Sequence, residues 1–126
     1  MAQFSKDDYN RLKAFILDRD IPEIQSAIKN GKLTYKGLSL FYLYRIGQCD
    51  GKNKLSLNTV VSLNRNLLEE VKGKDKKLNN SEKKWSICGI LVLIKDNINT
   101  KKMATTAGVL AFEKATKYRK SPKKYE

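Results

Sequence analysis

Residues 89–108 read GILVLIKDNINTKKMATTAG, an apolar run that ends on a single lysine, Lys95, followed at once by Asp96 and Asn97. From Ile90 to Ile94 every residue is β-branched or leucine, the pattern of a strand covered on both faces in a parallel or mixed sheet. Lys95 then stands where that strand, read over 87–94, leaves the core. Desolvation disfavours an ammonium there, and burial can carry a lysine several units below its usual value of about 10.4. Lys95 is therefore a candidate base. The alternative is a strand-end lysine whose stem lies on apolar surface while its head reaches water.

Working outward, Leu57, Thr59, Val61 and Leu63 alternate with Asn58, Val60 and Ser62, the period-two mark of a second strand. Asn64 can cap a helix carrying Leu67, Leu68 and Val71 that frays near Gly73, with residues 74–84 as a polar connection. Three helices are predicted before these elements. Ser5 and Asp8 form a capping-box start for a helix over 6–18, with Tyr9, Leu12, Phe15 and Ile16 at helical spacing. Asp20 and Glu23 repeat that logic around Pro22, and Ile24, Ala27 and Ile28 form one face before Asn30-Gly31 stops the helix. Thr34 caps the third, which carries Leu38, Phe41, Tyr42, Arg45 and Ile46 as far as Gly47; Gly37 weakens its first turn by up to ~1 kcal/mol.

The fold class predicted is α/β: N-terminal helices, then a strand-helix-strand unit whose strands are joined by a right-handed parallel crossover. Past Lys95 the chain is polar up to Lys102. Thr105 to Gly108 then read as a turn leading into the short apolar segment Val109-Leu110-Ala111-Phe112. Residues 113–126, with Lys114, Lys117, Arg119, Lys120, Lys123, Lys124 and a Ser-Pro break, predict a basic, flexible tail.

Composition narrows the chemistry. With 40% hydrophobic and 31% charged residues the 126-residue chain reads as globular, and no apolar run approaches the ~18 residues of a membrane span. The first residues have no secretory pattern. Cys49 and Cys88 form no CxxC pair, which argues against a disulfide scaffold or thiolate metal site and makes a reducing, cytoplasmic setting the default. The chain contains no histidine. Histidine-dependent triads and the usual zinc sites are thereby excluded, and neither a metal nor a cofactor is expected. The net charge of +13 comes mostly from lysines gathered at 72–84 and 114–124, a distribution that reads first as solvated loop and tail. Trp85 reads first as core and only second as a base-stacking residue.

In order and spacing, Gly89-Ile90, Val92 to Ile98, Thr100, Met103 and Thr105 to Gly108 resemble the N-terminal region of the amidase signature family. The resemblance extends upstream to IPEIQSAIKNGKLT at 21–34, LFYLYRI at 40–46 and LNTVVSLN at 57–64. It implies that residues 1–112 are the N-terminal portion of an amidase-signature α/β domain, with 113–126 as the tail. It further implies that Lys95, the lysine of the V-x-x-K-D-N element, is the catalytic base of a Ser-Ser-Lys mechanism. In such a mechanism a neutral lysine draws a proton through a bridging serine while a second serine attacks the amide carbonyl. Thr105 to Gly108 would line the substrate cleft or form an ordinary turn, and Asp96 and Asn97 would orient Lys95 or its loop through short-range bonds to backbone. No substrate-binding residue is assigned.

The resemblance stops short of the family's Gly/Ser-rich signature. The seven glycines stand singly and no serine falls in a glycine-rich loop. Prolines that typical members carry near Arg65, Ser86, Leu91 and Ala104 are also absent, which suggests a diverged or degraded branch. The expected function is thus an N-terminal fragment of an amidase-like hydrolase, inactive alone. Its expected partner is a separate chain carrying the Ser/Gly-rich half, with a small amide as substrate once completed and no membrane. The alternative is a small basic binding protein for nucleic acid or an acidic partner, supported by net charge alone.

Overall fold

Helices begin in this chain where a side chain is available to take their first free amides. The computed structural model describes residues 4–50, 56–76 and 87–113. Helix α1, Lys6–Ile16, starts on a capping box in which Ser5 Oγ accepts the Asp8 N–H at 3.1 Å and Asp8 accepts the Ser5 N–H at 3.0 Å. Helix α2, Ile21–Lys29, repeats the device with Asp20 and Glu23 at 2.8 and 3.0 Å, Pro22 lying in its first turn. Helix α3, Tyr35–Cys49, is capped by Thr34, whose hydroxyl accepts the Gly37 N–H at 2.9 Å. An added Cβ at Gly37 would lie 3.1 Å from that same oxygen, so glycine there accommodates the cap that its flexibility opposes.

The amino end of α3 has a second partner. Helix α4, Leu67–Lys76, brings Asp75 to it, and the carboxylate accepts the N–H groups of Tyr35 at 2.8 Å and Lys36 at 3.1 Å. A negative side chain at this end also complements the helix dipole. Helix α3 packs against both α1 and α4, and α1 also packs against α2. Their shared core is Leu12, Ile16, Ile24, Ile28, Leu33, Tyr35, Leu38, Phe41 and Val71. Tyr9 stacks on Phe41 with ring centroids 4.5 Å apart, and Tyr42 meets Phe41 edge-on at 5.5 Å. Gly89, at φ 80°, lies so close to the Tyr35 ring that a Cβ would enter its van der Waals envelope.

This helical unit comprises Met1–Val60 and Arg65–Leu91; Val61–Asn64 and Val92–Glu126 make up a second unit. Its helices differ in length from those predicted. Helix α1 stops at Ile16, where Leu17 turns extended and Asp18 takes φ 56°. Helix α3 runs through Gly47 to Cys49, and α4 starts at Leu67 and runs through Gly73 to Lys76. A Cβ at Gly47 or Gly73 would meet nothing within 4 Å, so neither glycine marks a packing discontinuity, and Asp75 anchors the last turn of α4.

The α/β expectation is overturned. Among the described residues the structure is helical and has no strand. The alternating segment 57–63 forms no strand, Asn58 within it taking φ 50°, and its amides turn elsewhere. Asp50, at the carboxyl end of α3, accepts the Thr59 N–H at 2.9 Å, the Thr59 hydroxyl at 2.8 Å and the Val60 N–H at 2.6 Å. Leu57 and Val61 are exposed. Within 87–94 the Ile90 N–H donates to the Ile87 carbonyl at 3.0 Å around Gly89, so the predicted strand opens with a turn. Ile90 and Leu91 pack on the helical core, whereas Val92 to Ile94 are exposed. A strand is stable only beside other strands or under a cover, and the apolar pattern records a preference for burial without supplying what buries it. Trp85, most of the lysine runs and the tail at 114–126 lie outside the described residues.

Two outcomes follow from the caps. Asp75→Ala should cost about 1–2 kcal/mol, the usual scale of a lost N-terminal cap, in chemical denaturation, with Asp75→Asn losing less; no loss from either would contradict the Asp75 bonds. The backbone N–H and hydroxyl of Ser5, with Arg11, hold the Asp8 carboxyl below its ordinary value; the Asp20 N–H and Arg19 do the same for Glu23, and the Thr59 N–H for Asp50. Carboxyls depressed in the folded state stabilise it above their unfolded values and lose that contribution as pH falls through the folded ones. Melting temperature should therefore decline as pH drops below about 4, and an Asp8→Asn, Glu23→Gln double variant, which lacks two of these carboxyls, should show a shallower decline.

Candidate functional site

Lys95 lies in the second unit, of which residues 61–64 and 92–113 are described. It is reached by an apolar run in which Val92 is 62%, Leu93 82% and Ile94 52% exposed. Lys95 itself is exposed. The expectation that a buried strand strips water from its ammonium is therefore corrected: the strand has no cover among the described residues, and the lysine sits in solvent.

The residues after it form a closed loop. The Ile98 N–H donates to the Lys95 carbonyl at 2.9 Å, turning the chain directly beyond the lysine. Asp96 then reaches ten residues ahead. Its Oδ1 accepts the Thr106 N–H at 2.8 Å, its Oδ2 accepts the Thr106 hydroxyl, and its carbonyl accepts the Ala107 N–H at 3.0 Å. Thr106 Oγ1 in turn accepts the Gly108 N–H at 3.2 Å. Inside this clasp the Thr105 hydroxyl, on a buried residue, donates to the Ile98 carbonyl at 3.1 Å. Thr100 Oγ1 donates to the Met103 carbonyl at 3.1 Å and accepts the Met103 N–H at 3.2 Å.

Threonine side chains thus hold together a loop that has no ladder. The turn at its far end places Ala107 at φ 49° and Gly108 at φ 77°. The left-handed setting suits glycine at Gly108; at Ala107 the sequence carried no sign of it. Helix α5, Leu110–Glu113, follows as a single turn with Leu110 and Phe112 exposed.

The K-D-N element and the T-T-A-G element, linked in the sequence only by proximity, are therefore joined by hydrogen bonds. The role read for Asp96 changes accordingly: its carboxylate secures the loop, but across ten residues. The spacing of an aspartate and a threonine pair within one polar stretch was a signal for such closure, though not for which threonine closes it.

What the site can do chemically is limited by what accompanies Lys95. Ser5 caps α1, Ser39 is buried and donates to the Tyr35 carbonyl at 2.9 Å, and Ser56 bonds Asn58 at 3.0 Å. Each of these hydroxyls serves local structure. Shallow surface depressions lined by α1 and α2 residues such as Asn10, Lys13 and Glu23 do not include Lys95. Among the described residues no three Asp, Glu, Cys or His side chains gather as a metal site, and no helix is long and apolar enough to cross a membrane.

Comparison with known proteins supplies the context. Residues 42–121 match the Amidase family. The chain is 32% identical over 88 residues to one of the subunits of glutamyl-tRNA(Gln) amidotransferase from Bdellovibrio bacteriovorus, an alignment covering 70% of this chain and 17% of that protein. Among solved structures it is similar to an amidase family protein from Bacillus anthracis str. Ames, with a TM-score of 0.75 and 32% identity over 86% of this chain and 21% of that one. The chain thus spans only 17% to 21% of the length of these relatives. A family match over more than half of the chain, carrying the K-D-N and T-T-A-G elements within it, makes this protein a member of the amidase family.

Proposed function

We propose that this chain is the N-terminal part of an amide-hydrolysing enzyme of the Ser-Ser-Lys type, with Lys95 as its base, and that it is inactive until another polypeptide supplies the serine pair. The observation that carries this reading is the position of Lys95: it opens the clasped loop 95–108, inside the stretch that matches the Amidase family. The relatives are named as an amidase and an amidotransferase, which favours an amide as the substrate.

In the completed enzyme, neutral Lys95 Nζ would accept the proton of a bridging serine as that serine takes the proton of the attacking serine. The attacking oxygen bonds to the amide carbon, and the amide nitrogen leaves carrying the transferred proton. Water, deprotonated through the same relay, then releases the acid and restores both serines. In the chain alone Lys95 is exposed, so burial does not desolvate it. A covering polypeptide would bury the run at 92–94 and withdraw water from the lysine in the same step. The setting proposed is the cytoplasm, in keeping with Cys49 and Cys88 as free thiols.

The test is a hydrolysis assay on simple amides, run on the purified chain and on the chain co-expressed with the Ser/Gly-rich portion of a family relative. We expect no turnover from the chain alone. We also expect turnover from the pair that falls at least a hundredfold in Lys95→Ala, the lower end of what a general base contributes. Turnover by the chain alone that Lys95→Ala abolishes would refute the incompleteness; activity in the pair that survives Lys95→Ala would refute the role of the lysine.

A further inference from the structure

We propose that Thr106 holds the Asp96 carboxylate away from Lys95, making Asp96 and Thr106 positioning residues that keep the lysine without an ion-pair partner. This rests on the reading of Lys95 as the base and adds to it a device in the chain's own loop.

The difficulty the device answers is local. A lysine immediately followed by an aspartate has an opposite charge one residue away, and a nearby carboxylate stabilises the ammonium. A base must lose its proton before it can act, so such a pairing would work against it. Here both carboxylate oxygens accept from Thr106, Oδ1 from its N–H and Oδ2 from its hydroxyl. The hydroxyl's direction is set, because its oxygen accepts the Gly108 N–H and its hydrogen is left for Asp96. The Ala107 N–H meanwhile fixes the backbone of Asp96 through its carbonyl.

Three consecutive amides, of Thr106, Ala107 and Gly108, thus converge on Asp96 and the threonine that binds it. The left-handed φ values at Ala107 and Gly108 turn the last two that way. Among the described residues no hydrogen bond or ion pair engages Lys95 Nζ.

The test is trace labelling of the full-length chain with an amine-reactive anhydride at one mildly alkaline pH, the rate at each lysine read by peptide mass spectrometry. Lys101, in the same loop, and Lys13, on α1, serve as references. Thr106→Val removes the hydroxyl donor and frees Oδ2. Labelling of Lys95 should then fall about 1.5- to 5-fold against both references, the range of an exposed ion pair. Thr106→Ser keeps the donor and should restore the parent rate, and Asp96→Asn combined with Thr106→Val should abolish the fall.

A Lys95 rate that is unchanged in Thr106→Val, or that rises together with Lys101 as the loop loosens, would overturn the proposal. Asp96→Asn alone gives an independent arm should Thr106→Val fail to fold. With the carboxylate already diverted, Lys95 labelling should stay at the parent rate, and a severalfold rise would show that Asp96 had been holding the ammonium and overturn the proposal. These rates are read on the chain without its serine partner, so they can fail while the hydrolysis assay succeeds, and the reverse.

Discussion

The hydrogen bonds from the Tyr35 and Lys36 amides to Asp75 fix the helical unit, because α3 is the element on which both α1 and α4 pack. Tyr35, Leu38 and Phe41 on α3 are among the most deeply buried side chains, and Leu12 and Ile16 of α1 meet them in the same core as Val71 of α4. Joining α4 to the start of α3 closes a loop of 40 residues. That closure has an entropic cost, which burial of the shared apolar face offsets. The bare backbone of Gly89 against the Tyr35 ring extends the same packing to the 87–91 segment.

What could be read from the sequence divides along the range of the interactions involved. Ser5 with Asp8, Asp20 with Glu23 and Thr34 with Gly37 are three residues apart, so each helix start was legible from local chemistry, as were the faces carrying Leu12, Ile16, Ile24, Ile28, Leu38 and Phe41. Asp75 was not legible as a cap, since its partners lie some forty residues away and nothing in its own neighbourhood points to them. Gly47 and Gly73 were read as helix ends, yet both helices run past them.

The strands failed for a different reason. Alternation at 57–63 and the apolar run at 87–94 are patterns that selection for burial leaves behind, and they persist whether or not the burying surface is present. In the chain itself Asp50 takes the Thr59 and Val60 amides, the chain turns at Gly89, and Val92 to Ile94 remain in water. The same fact decides the state of the site. Lys95 was legible as a candidate base from the K-D-N element, but its expected desolvation depended on the missing cover. The clasp of Asp96 by Thr106 needs no cover, its partners lying ten positions apart in one loop, and it is formed. The chain, which spans about a fifth of the solved relative, thus holds a closed loop beside an exposed apolar run.

Val92 to Ile94 have no cover among the described residues, and amide hydrogen exchange on the isolated protein tests this most directly. Exchange at Val92, Leu93 and Ile94 is expected close to the rate of unstructured peptide, while Leu38 and Phe41 of α3 exchange orders of magnitude more slowly. Protection at 92–94 comparable to that of α3 in the isolated chain would mean that a sheet forms without a partner, and would contradict this exposure.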